Sequence, residues 1–190
     1  MDAYIAKLLS LPMLPLARWP LWPYWRTHRP EEAPKLAFLL ATCLRESLEE
    51  MRLNPLSVRF LGPMPPQSLR LFQRSIYPMV GWVTWQRRFV PNWEVEKIVH
   101  FPLGDLLDPT HYARYKLNLG PTVEKRLLPS EEEFPCFVGR TPGGREILWG
   151  ATFRIVAHFL ELVFGFQMPD ISKLPVVTGT LSESYLTGQG

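Results

Sequence analysis

The run Leu44-Arg45-Glu46-Ser47-Leu48-Glu49-Glu50 closes an apolar segment that begins at Leu36. Read as a helix over residues 36–51, it sets Glu46 and Glu50 one turn apart and Glu49 three residues from Glu46. All three carboxylates then share one face. Leu40, Cys43, Leu44, Ser47, Leu48 and Met51 fall on the opposite side, which can be buried. Like charges one turn apart destabilise an isolated helix by roughly a few tenths of a kcal/mol per pair. A divalent cation removes that repulsion, because hard metals favour carboxylate oxygens. A solvated acidic face is the alternative reading. The order Arg-Glu-x-apolar-Glu-Glu is more particular than a run of charge.

The chain of 190 residues is long enough for one sizeable core. Its 46% apolar and 21% charged residues are ordinary for a globular protein. A net charge of +3 suits an anionic substrate and is too small to argue for nucleic acid. Cys43 and Cys136 form neither a disulfide framework nor a metal-ligand spacing. Each reads as a small core residue in a reducing compartment, with the cytoplasm as the expected location. No apolar run approaches the ~20 residues needed to span a bilayer.

Residues 1–35 are set apart by composition. Met1–Ser10 has the pattern of a short amphipathic helix. Pro12, Pro15, Pro20, Pro23, Pro30 and Pro34 then alternate with Trp19, Trp22 and Trp25. Prolines at this density predict neither a regular helix nor a central strand. The segment reads as an arm that wraps the domain, packs on a partner or lies on a membrane surface, or as an altered start. Downstream, strands are expected over residues 57–61, 75–85 and 94–101, with Pro78 marking an edge or a bulge. Residues 103–108 give one helical turn. Residues 110–133 read as a polar excursion whose Glu131-Glu132-Glu133 run is solvated. Phe134–Val138 and Glu146–Trp149 form a hairpin around the glycine-rich turn 139–145. Ala151–Gly165 is an amphipathic helix with Ile155, Phe159, Leu162 and Val163 on its apolar face. Gly165 stops it. The domain is thus expected over residues 36–166, followed by a tail at 167–190.

Three stretches carry a family resemblance. Arg45-Glu46-Ser47-Leu48-Glu49-Glu50 with Leu53 resembles the C-terminal half of the Nudix box, Arg-Glu-apolar-x-Glu-Glu-x-Gly-apolar. Asn92-Trp93-Glu94-Val95-Glu96, continuing through Val99-His100-Phe101-Pro102-Leu103-Gly104-Asp105-Leu106-Leu107-Asp108-Pro109, is similar to the coenzyme A pyrophosphatase branch of Nudix hydrolases. So is Glu133-Phe134-Pro135-Cys136-Phe137 followed by Ile147-Leu148-Trp149-Gly150-Ala151-Thr152-Phe153-Arg154-Ile155. The likeness runs from about Leu40 to Phe164. The N-terminal half of the box is degenerate: its glycine and first glutamate fall at Glu31 and Ala37. The glycine after the paired glutamates is Arg52, at a position suited to positive φ. Ser47 stands where the box has an apolar residue, and the Phe-Pro-Gly-Gly loop is absent.

The resemblance implies an α+β protein, a Nudix-like α/β/α sandwich around a mixed sheet, with the strands that precede the box missing or altered. It implies metal-dependent hydrolysis of a nucleoside diphosphate-linked small molecule, with coenzyme A or a derivative as the leading substrate. Glu46, Glu49 and Glu50 would hold Mg²⁺ or Mn²⁺, with Glu46 or Glu49 also able to serve as base. Arg45 would orient the carboxylates, and Glu94 is the match for an additional acid from a later loop. Arg70, Arg74, Arg87 and Arg88 are candidates for substrate phosphates. The competing reading is a catalytically impaired Nudix-like protein that binds a ligand or partner.

Overall fold

The computed structural model describes residues 14–68, 75–118, 133–141 and 143–180. It divides into two compact units, Met1–Ile98 and Val99–Gly190. Expectations for Met1–Ser10, for Arg70 and Arg74, and for residues 119–132 lie outside the described residues. No described helix is long and apolar enough to cross a membrane.

In the first unit, helix α1 spans Trp22–His28 and α2 spans Glu32–Met51. The proline-rich segment was expected to exclude regular helix, and α1 corrects that. Pro23 lies in the first turn of α1, where the missing N–H has no intrahelical partner to lose. Pro34 has the same tolerance in the first turn of α2, so α2 begins four residues before Leu36. Its buried stripe is Ala33, Leu36, Ala37, Leu40 and Leu44. Cys43 and Leu48, expected on that side, are exposed.

Strand β1 (Val58–Pro63) pairs antiparallel with β4 (Met79–Val83), and the short β2 (Gln67–Ser68) pairs with β3 (Ser75–Ile76). The strand expected over 75–85 is broken in two at Pro78, which has no N–H for a ladder. The β1–β4 register shifts between Phe60 and Gly62. At this bulge the Leu61 carbonyl accepts the Trp19 indole N–H at 3.0 Å. Trp19 also meets the Phe60 ring edge-on at 5.0 Å and is buried with Leu16, Leu36, Leu40, Leu44 and Val58. A tryptophan of the proline-rich segment is therefore a core residue of this unit. Among the described residues, no strand precedes α2.

In the second unit, α3 is the single turn Leu103–Leu106, and β5 spans Tyr112–Asn118. The hairpin β6 (Glu133–Thr141) and β7 (Gly144–Trp149) leads into α4, Gly150–Phe164. Strand β8 is Val176–Thr180. The sheet order is β7-β6-β5-β8, with β8 parallel to β5 and the other pairs antiparallel. Helices and a mixed sheet make the protein α+β, as expected.

One face of this sheet buries Tyr112 and Phe137 with Phe153 of α4 and Leu174; the other buries Ala113, Tyr115 and Cys136. Burial pushes the Tyr112 phenol up to about 12 and the Cys136 thiol up to about 11. The polar excursion expected at 110–133 thus contains a central strand, which polar residues hid. Arg114 is half-buried there because its guanidinium has partners: Nε donates to the Leu174 carbonyl at 3.0 Å and Nη1 to Glu133 at 3.0 Å. Glu133, expected to be solvated, is that partner. Within the Gly- and Thr-rich 167–190 segment, Gly179 of β8 is required, because a Cβ there would run into the Tyr115 ring. On α4 the buried residues are Phe153 and Leu160, whereas Leu162 and Val163, expected inward, are exposed. The strand expected over 94–101 does not form.

Candidate functional site

The last two turns of α2 carry the acidic run. Glu46 and Glu49 are exposed and Glu50 is half-buried. Arg45 stands one turn before Glu49 and donates to its Oε2 at 2.7 Å. A second, longer contact of 3.5 Å runs from Arg45 to Glu46 Oε1. One guanidinium therefore ties two of the three carboxylates. The Cys43 thiol is pushed up first by desolvation, then by Glu46, with Glu50 adding to it, while a hydrogen bond with Ser47 opposes the shift.

The helix ends in a left-handed turn at Arg52, with φ 56° and ψ 33°. The Arg52 N–H returns to the Leu48 carbonyl at 3.1 Å and the Leu53 N–H to that of Ser47 at 3.2 Å. The position read from the sequence as suited to positive φ has that conformation, with arginine in it. Gln86 braces this corner. Its Nε2 donates to the Arg52 carbonyl at 2.9 Å and to the Arg88 carbonyl at 2.9 Å. Its Oε1 accepts the Asn54 N–H at 2.7 Å.

The chain then comes back against the same helix end. Val90 N–H donates to the Met51 carbonyl at 3.1 Å, and Asn92 N–H to the Glu50 carbonyl at 2.7 Å. These bonds fix residues 90 and 92 against the helix end, just ahead of the strand expected at 94–101. The Asn92 side chain accepts the Glu94 N–H at 2.9 Å and donates to the Glu94 carboxylate at 3.3 Å. Glu94 is thus carried on a loop pinned through its backbone to Glu50. Arg87 and Arg88 are exposed.

Sequence reasoning named Arg45, Glu46, Glu49, Glu50 and Glu94 but missed Gln86 and Asn92. Both act mainly through backbone groups, which leave no spacing to read. Among the described residues, no three His, Cys, Asp or Glu side chains converge as a ready cation cage. The donor chemistry still suits one kind of ion. Mg²⁺ and similar hard cations take one or two carboxylates and complete their shell with water and substrate phosphates. Ala37, where the resemblance places the first box glutamate, is buried in the apolar core of α2.

No protein-family model matches the chain. Over 76 residues, 39% of its length, it is 38% identical to an uncharacterized Nudix hydrolase, NudL, of Pectobacterium atrosepticum. The matched stretch spans 38% of that curated relative. This likeness supports a place in the Nudix hydrolase superfamily.

Proposed function

We propose that the protein is a metal-dependent hydrolase of nucleoside diphosphate-linked compounds, with coenzyme A or a derivative as leading substrate. The observation that carries this reading is the acidic run on the last two turns of α2, tied by Arg45, in a chain partly alike to a Nudix hydrolase. Glu46, Glu49 and Glu50 are the residues that would hold Mg²⁺ or Mn²⁺. When bound, such an ion neutralises phosphate charge and makes water a competent nucleophile. Arg45 fixes the rotamers of Glu49 and Glu46 through its two contacts, so that their free oxygens stay on the exposed face. Glu49 or Glu46 accepts the proton of the attacking water, and Glu94 supplies a further acid from its pinned loop. A positioned general base contributes about 10²–10⁴-fold to rate. The purified protein with Mg²⁺ or Mn²⁺ is therefore expected to hydrolyse at least one of coenzyme A, ADP-ribose and NADH. The absence of turnover across all three, with Glu49→Gln no different, would remove the proposal.

A second reading is favoured by Ala37, which puts methyl in the core where the box has a carboxylate, and by the unconverged acidic side chains. On that reading the protein binds a ligand or partner without turnover. Calorimetry separates the two: divalent-ion binding that is lost in Glu49→Gln supports the hydrolase and counts against binding without turnover.

A further inference from the structure

Arg52 is the one non-glycine residue with positive φ among the described residues. L-residues pay for that backbone region, and such outliers persist where the surroundings over-determine them, most often at functional sites. Here the over-determination is visible. The Gln86 amide grips the Arg52 carbonyl on one side and the Asn54 N–H on the other. The chain thus holds a side-chain-bearing residue where glycine would sit without strain.

The side chain so presented is an exposed arginine two residues after Glu50. Among the described residues its guanidinium enters no hydrogen bond or ion pair. That contrasts with Arg45, whose guanidinium is committed to Glu49 and Glu46. Favourable interaction of a cation with the helix C-terminus does not explain the choice, because an arginine one residue earlier would have it without a left-handed backbone.

We propose that Arg52 is a substrate-binding residue, whose free guanidinium takes the diphosphate oxygens of the substrate at the end of α2. This rests on the hydrolase reading and deepens it by assigning the phosphate contact. A guanidinium donates two parallel N–H bonds to phosphate oxygens, the geometry that favours arginine at such sites.

The test compares wild type, Arg52→Gly and Arg52→Lys in three measurements: thermal melting, steady-state hydrolysis of coenzyme A with Mg²⁺, and calorimetric binding of ADP. Arg52→Gly is expected to melt about 1–4 °C higher, since it relieves strain. It should nevertheless raise KM and the ADP dissociation constant by about tenfold, the loss of one charge-assisted contact. Arg52→Lys, which keeps charge but not the fork, should fall between. A purely structural Arg52 would move the melting temperature alone. Unchanged KM and ADP binding in Arg52→Gly would overturn the proposal, as would a wild-type protein that binds no ADP. If wild type binds ADP through Arg52 but hydrolyses nothing, this inference stands and the catalytic reading falls.

Discussion

Two helix ends in this protein have nearly the same backbone and different residues. At the end of α4, Gly165 has φ 65° and ψ 20°, its N–H returns to Glu161 at 2.9 Å, and Phe166 N–H reaches Leu160 at 3.3 Å. At the end of α2, Arg52 has φ 56° and ψ 33°, with the corresponding bonds to Leu48 at 3.1 Å and Ser47 at 3.2 Å. Glycine adopts this conformation freely, whereas a residue with a Cβ loses roughly 1–2 kcal/mol. A cation at a helix C-terminus returns about 0.3–1 kcal/mol, less with salt. Strain therefore outweighs the electrostatic gain at Arg52. The end that only closes a helix is relaxed, and the end that carries the acidic run is held under tension by Gln86.

The comparison presumes that packing, not capping, holds both helices. Truncating a buried core side chain should then exceed any cap effect. Leu160→Ala on α4 and Leu44→Ala on α2 are each expected to lose about 2–5 kcal/mol in denaturant unfolding. Losses below those of the cap variants would break the comparison. Next, Gly165→Arg should destabilise by about 1–2 kcal/mol, reproducing at α4 the strain present at α2. The reciprocal Arg52→Gly should stabilise by about 0.5–1 kcal/mol. If both swaps shift stability in the same direction, the equivalence of the two ends is wrong.

Gln86→Ala sharpens the same point. Its cost should be smaller in the Arg52→Gly background than in wild type, because a relaxed corner needs less bracing. Additive effects would show that Gln86 does not support the strained turn.

The smallest effect is confined to alkaline pH and to the second unit. The Tyr112 phenol is buried and its OH donates to the Leu106 carbonyl at 2.6 Å. Burial raises it from its ordinary 10.0 to about 12. Its contribution to stability is full below pH 10 and is lost as pH rises from 10 through about 12, because the unfolded chain ionises first. Phenolate absorbance should show a late-titrating tyrosine that disappears in Tyr112→Phe. A titration in which every tyrosine ionises near 10 would contradict the burial.

Much of this was legible in the sequence where local chemistry and packing agree. The α2 helix, the 134–149 hairpin and the helix ending at Gly165 follow from periodicity and turn residues. The left-handed position at 52 followed from the resemblance, since the matching residue in the box is glycine. Long-range partners were not legible. Trp19 is buried because the β1 bulge leaves the Leu61 carbonyl for its indole N–H, and nothing near residue 19 encodes that. Arg114 hid strand β5 because its charge is met by Glu133 and Leu174, distant in sequence. At the candidate site, the placing of Arg45, Glu46, Glu49 and Glu50 on one stretch of helix was readable from their spacing. Gln86 and Asn92 were not, because most of their bonds go to main-chain groups that every sequence shares.

The most direct measurement is the ³¹P spectrum of coenzyme A incubated with the protein and Mg²⁺, with wild type and Glu49→Gln compared at equal folded concentration. The account predicts that wild type converts the diphosphate resonances into two phosphomonoester signals. Glu49→Gln should do so at least about 100-fold more slowly, the loss of a positioned base. Diphosphate resonances that decay at the same rate with both proteins, or with neither, would contradict the assignment of the acidic run on α2 as a hydrolytic site for coenzyme A.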